Sequence, residues 1–154
     1  MSEYLRVGRL YFVMLGIVTI GRWLLGVSGV PYVQGHHVFS LVILTAFAAL
    51  FYGAFGRRWL GWRPAQAAIM GGVIGVSAQL VIASAMLLSF ALGMETYFNH
   101  SIAINVRNLG EEAVAITFAQ GARARAAGLV FNTLAATLFA VIGWAMGALL
   151  PERR

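Results

Sequence analysis

The sequence predicts an all-α integral membrane protein: a bundle of four transmembrane helices with an extramembrane or interfacial helical segment between the third and the fourth. Three observations carry that expectation. Four long apolar runs fill most of the 154 residues, and a helix needs about 20 predominantly apolar residues to cross a hydrocarbon core roughly 30 Å thick. The titratable residues gather at the ends of those runs, with Arg22 the one charge inside them. A composition of 60% hydrophobic and 10% charged residues, with mean hydropathy +0.82, leaves too little polar sequence for a separate soluble domain. Residues 1–154 therefore read as one transmembrane domain.

Segment one spans about Arg9 to Val27. It breaks at Gly29-Val30-Pro31, because proline drives the residue before it out of helical geometry. Its start resembles a signal peptide, with Arg6 and Arg9 ahead of an apolar stretch. No small-x-small cleavage pattern precedes a soluble domain, however, and Arg22 interrupts the run, so it reads as a retained first helix. Segment two spans about His37 to Phe55, stops at Gly56-Arg57-Arg58 and forms a compact hairpin with segment one. A connector carrying Trp59 and Trp62 leads to Pro64, a residue suited to the first turn of a helix.

Segment three, about Pro64 to Met94, is long for one crossing. It must tilt, kink near Gly71-Gly72 or project beyond the lipid. The stretch from Glu95 to Arg125 lies outside lipid and holds much of the polar chemistry. Within it, Asn108 followed three residues later by Glu111 reads as a capping box. Helical pattern continues from there, with Val114, Phe118 and Arg125 on one face. Segment four spans about Ala126 to Leu150 and ends before Pro151-Glu152-Arg153-Arg154.

Charge sets the expected topology and narrows the partners. With the N-terminus inside, seven arginines (6, 9, 57, 58, 63, 153, 154) face four (22, 107, 123, 125), which favours both termini in the cytoplasm of a cell whose inner membrane the chain crosses repeatedly. The net charge of +6 sits in arginines at segment ends, not on a stripe with interleaved aromatics, so no nucleic-acid partner is expected. Membrane lipids and protein partners in the membrane are, in a hetero-complex or a homo-oligomer. The absence of cysteine excludes disulfides, thiolate catalysis and cysteine-ligated metal centres.

Small residues recur at four-residue spacing: Ala49/Gly53, Gly71/Gly75 and Gly143/Gly147. Such pairs let helix backbones approach closely where lipid cancels the hydrophobic drive, and packing within the bundle is favoured over contact with a partner helix. Arg22 is the sharpest polar anomaly, since a charge at the bilayer centre costs about 2.5–3.5 kcal/mol on insertion scales. Snorkelling to the headgroups accounts for it, with a pair to Glu95, an anionic lipid or a cofactor group as the functional reading. His36, His37 and His100 fall on the same side and form the one metal-like constellation. No cofactor is required, and haem or a metal at these histidines is the alternative to ordinary interfacial residues. Gln79 and Asn132 read as inter-helix hydrogen-bonding amides, and Glu111-Glu112 as helix-start carboxylates rather than a catalytic pair. Trp23, Trp59, Trp62 and Tyr97 suit interfacial belts, whereas Trp144 reads as deeper packing.

The expected function is a non-catalytic accessory or assembly subunit of a larger bacterial inner-membrane complex, of respiratory or photosynthetic type. The membrane interior lacks the carboxylate or histidine chain of a proton pump. A small homo-oligomeric channel or transporter lined by Gln79, Asn132 and the serines of segment three is the first alternative. A metal- or haem-binding protein using the outer-face histidines is the second.

Overall fold

The computed structural model describes residues 2–104 and 116–150, and all regular structure within them is helical. In chain order these are α1 (Ser2–Val7), α2 (Arg9–Val27), α3 (Tyr32–Gly35), α4 (Leu41–Leu60) and α5 (Pro64–Ala91). A 3-10 turn (Ile102–Ile104), α6 (Phe118–Met146) and a closing 3-10 turn (Gly147–Leu149) follow. Four of them, with α6 extended through Leu149, are long and apolar enough to cross a membrane. The protein is a multi-pass helical membrane bundle. One end, where α2 and α5 finish and α4 and α6 begin, carries the histidines; the other carries Arg57, Arg58 and Arg63.

Local chemistry sets each boundary. The Ser40 hydroxyl accepts from Ile43 N at 3.4 Å to open α4. That helix runs past Arg57 and Arg58, because cations in the last turn suit the negative end of the helix dipole. It stops at Gly61, whose φ of +67° is a left-handed cap that L side chains resist. The expected stop at Gly56 is therefore one turn early: charge marked the end of the apolar run, not of the helix. Pro64 takes the first position of α5, and the Gln66 side chain accepts from Arg63 N at 2.8 Å. At 28 residues α5 is about 42 Å long, and it passes Gly71-Gly72 as unbroken helix.

The last helix begins earlier than its apolar run. Thr117 and Gln120 form a reciprocal capping box, with Gln120 Oε1 accepting from Thr117 N at 2.8 Å and Thr117 Oγ1 accepting from Gln120 N at 3.3 Å. Residues 118–125, assigned by sequence to the outer segment, are thus the first two turns of the spanning helix. The expected Asn108–Glu111 box, with Arg107, Glu112 and Val114, lies outside the described residues.

Packing is uneven. α4, α5 and α6 form a tight trio, whereas α2 lies more lightly against α4 and α5. The compact hairpin expected of segments one and two is not what holds the bundle. α2 buries one narrow stripe, Tyr11, Leu15 and Val18, and the Tyr11 hydroxyl donates to Ile74 O at 3.1 Å. In the trio, small residues meet backbone directly. Gly53 sits against the carbonyl of Ala140, and Gly143 against that of Leu50. A Cβ on Gly147 would lie 2.7 Å from Ala54 O, one on Gly71 2.7 Å from Ala136 O, and one on Gly75 2.7 Å from Thr133 Cα. Ala49 is fully buried beside them. These six small positions all serve the bundle's own helix crossings.

Two aromatic residues assigned to interfacial belts are buried instead. Trp62 packs against Gly56 and, at 5.5 Å between ring centroids, against Tyr4; its carbonyl accepts from Trp144 Nε1 at 2.6 Å. Tyr97 and Phe98 tuck beneath the histidine end, each about 97–98% buried. Trp59 is exposed.

Candidate functional site

The histidine end is closed by a cap of short-range hydrogen bonds. Ser89, in the last turn of α5, shares a hydrogen bond of 2.8 Å with Thr96, and Trp23 Nε1 donates to the Ser89 hydroxyl at 3.2 Å. Asn99 Oδ1 accepts from Thr96 N at 2.8 Å while its Nδ2 donates to Met94 O at 3.0 Å. This network folds residues 94–99 back over the helix ends and drives Phe98 inward. The Tyr97 hydroxyl reaches Val30 O at 2.8 Å and Pro31 O at 3.2 Å, tying the cap to the turn after α2. Burial pushes the Tyr97 phenol above its ordinary range, against an opposing pull from the Arg22 charge.

Beneath that cap lies a cavity of about 100 Å³ whose lining includes Arg22, Tyr32, Ser40, Tyr97 and Arg125. Helix geometry and two turns bring these together. Arg22 is five residues before the end of α2, Pro31 starts the short turn that carries Tyr32, and Arg125 sits two turns into α6. Arg22 Nη1 donates to His36 O at 3.0 Å and Nη2 to the Tyr32 hydroxyl at 3.3 Å. Its guanidinium also lies 5.7 Å and 5.4 Å from the ring centroids of Tyr32 and Tyr97, within cation–π range. Arg125 Nη2 donates to Phe98 O at 2.6 Å, and its buried Nε–H has no acceptor among the described residues. The two guanidiniums lie within electrostatic reach of each other.

Among the described residues the hydrogen bonds of Arg22 go to His36 and Tyr32, not to Glu95, the partner that the functional alternative offered it. The influence of Glu95 falls on His100 instead, opposing the burial that pulls its imidazole below the ordinary range. Of the three histidines, His36 and His37 stand side by side at 3.7 Å between centroids, and the Tyr32 ring stacks on His36 at 5.7 Å and on His100 at 4.7 Å. His36 Nδ1 faces Val33 O at 2.8 Å, a hydrogen bond made by the tautomer that carries its proton on that nitrogen. His100 Nδ1 accepts from Ile102 N at 3.3 Å. Among the described residues no three His, Asp or Glu side chains converge as metal ligands. Tyrosine stacking thus organises the cluster.

Gln79 and Asn132 come together in the middle of the trio. Both line a cavity of about 40 Å³ with Thr45, and both flank Gly128, where a Cβ would lie 3.1 Å from Gln79 Oε1 and 3.4 Å from Asn132 Nδ2. Among the described residues neither amide makes the direct inter-helix hydrogen bond that the sequence suggests. Leu41, Val42 and Ile82 line this cavity and the arginine cavity alike, so the two adjoin along one apolar seam. A third feature is an open groove of about 420 Å³ where α2 stands off α5. Thr19, Ile20 and Trp23 form one wall, and Leu80, Val81, Ser84, Ala85 and Leu88 the other.

Sequence reasoning found Arg22 and the histidines but missed Tyr32, Ser40 and Arg125 as their companions. The available signal was topological: odd and even crossings place the end of α2 and the start of α6 together. Comparisons with protein-family models, curated proteins and solved structures found no match.

Proposed function

We propose that the chain is a non-catalytic accessory or assembly subunit of a larger complex in a bacterial inner membrane, with both termini cytoplasmic. The groove between α2 and α5 carries this reading. In lipid no hydrophobic drive holds helices together, so association rests on packing. The trio already uses its small residues on its own crossings, whereas α2 is lightly held and leaves Ser84 and Ala85 on the α5 wall of an open groove. Another subunit's transmembrane helix gains close contact there on both walls. Purification in mild detergent followed by mass spectrometry of the intact assembly tests the reading: a stoichiometric partner polypeptide is expected, and a well-behaved monomer with no partner would sink it.

A conduit is the second reading, favoured by the shared cavity of Gln79 and Asn132. It predicts solute flux in proteoliposomes that Gln79→Leu abolishes. Absence of flux across ions and small solutes removes it.

A further inference from the structure

We infer that the cavity between Arg22 and Arg125 is a binding site for the phosphate group of an anion. The inference is independent of the partner groove. Its first ground is charge: two guanidiniums line one cavity, and no described carboxylate bonds to either. Like charges sharing a low-dielectric boundary disfavour one another, and an anion between them removes that cost. The guanidinium fork also matches phosphate oxygens geometrically.

The lining also holds more donors than acceptors. Arg125 Nε–H is buried and lacks an acceptor among the described residues, while its Nη2 is fixed by Phe98 O. The Tyr32 oxygen already accepts from Arg22, which leaves its own O–H as a donor. The Ser40 oxygen accepts from Ile43 N, and its O–H is likewise left to donate. Tyr97, by contrast, is committed to the carbonyls of Val30 and Pro31. The polar lining therefore offers protons and positive charge and almost no lone pairs. That is a lining for an anion with several acceptor oxygens, as phosphate has.

A further ground is the seam through Leu41, Val42 and Ile82, which leads from the arginines into the apolar part of the bundle. Val42 is 65% exposed on the face that lipid covers. A lipid whose phosphate sits on the arginines can lay an acyl chain along that seam, and a free phosphate uses the polar end alone.

The test uses the purified chain in phosphatidylcholine vesicles, with thermal unfolding followed by tryptophan fluorescence. Phosphatidylglycerol is titrated in one arm and inorganic phosphate in the other. A saturable rise in the unfolding midpoint is expected with phosphatidylglycerol, assigning the phosphate to a lipid headgroup. A matching response to inorganic phosphate assigns it to a soluble ligand. Arg22→Gln and Arg125→Gln should each raise the half-saturating content about tenfold, since each removes a charged hydrogen-bond donor, while Arg9→Gln at the other end leaves it unchanged. Tyr32→Phe, which keeps the ring and removes one donor, gives a smaller weakening and serves if either arginine variant does not fold. No saturable response in either arm overturns the inference, as does a response that the arginine and tyrosine variants leave intact. A response seen only after Glu111→Gln and Glu112→Gln overturns it too, because the chain's own carboxylates would then fill the site.

Discussion

Arg22 shows how a single residue becomes tolerable in an apolar helix. Its guanidinium is matched to a backbone carbonyl, a phenol oxygen and two aromatic faces, so the charge is held at the boundary by fixed partners rather than by snorkelling alone. Arg57 repeats the device at the other end, its guanidinium carbon 4.2 Å from the Trp144 ring centroid. The glycines give the sharpest single-residue tests. Gly143→Leu forces a side chain into the backbone carbonyl of Leu50 and should cost about 1–3 kcal/mol or more. Gly16→Ala meets nothing within 4 Å and should be neutral or stabilise by up to about 1 kcal/mol. Denaturation in detergent micelles ranks the two; equal effects would contradict the close crossing. Gln79→Leu replaces an amide that lines a cavity and has no hydrogen-bond partner among the described residues, and it should be neutral or stabilise by up to about 1 kcal/mol in the same assay. A loss of stability there would mean the amide is satisfied in a way the side-chain contacts do not reveal.

At the scale of elements, the apolar runs were legible and their ends were not. The length of α2 follows directly from its run, Arg9 to Val27, because Gly29 and Pro31 close it. α4 and α6 extend beyond theirs, since arginine in a last turn and a Thr-x-x-Gln box in a first turn continue a helix into polar sequence. The cap formed by residues 94–104 was illegible for another reason. Its stability comes from contacts with residues far away in sequence, such as Tyr97 with Val30 and Arg125 with Phe98. The cap also predicts a pH dependence. Burial lowers the His100 pKa from 6.5, so below that value the unfolded chain takes up a proton more readily than the folded one. The contribution of His100 to stability is full above about pH 6.5 and declines as pH falls through the window down to its depressed folded value. The unfolding midpoint should drop from pH 7 to pH 5, and His100→Gln should flatten that slope. An unchanged slope would show that the proton acts elsewhere.

Across the whole molecule, the membrane bundle was readable because lipid imposes one length and one polarity on every crossing. The relative strength of the crossings was not. Hydropathy rates segment one as highly as segment four, yet small residues facing backbone make α4, α5 and α6 a unit and leave α2 at its margin. The same limit applies to the site: Arg22 stood out alone in the sequence, and only antiparallel crossings could supply Arg125. The assembly reading rests on that marginal helix and its groove, and the absence of cysteine makes it directly testable. A photoactivatable cross-linker placed at Ser84→Cys on the α5 wall of the groove, and at Phe131→Cys on the exposed face of α6, is activated in native membranes before extraction. One defined adduct with a transmembrane polypeptide is expected from position 84, at the stoichiometry of the intact assembly, and none from position 131. Lipid adducts alone, or equal protein adducts from both positions, would contradict the assembly reading.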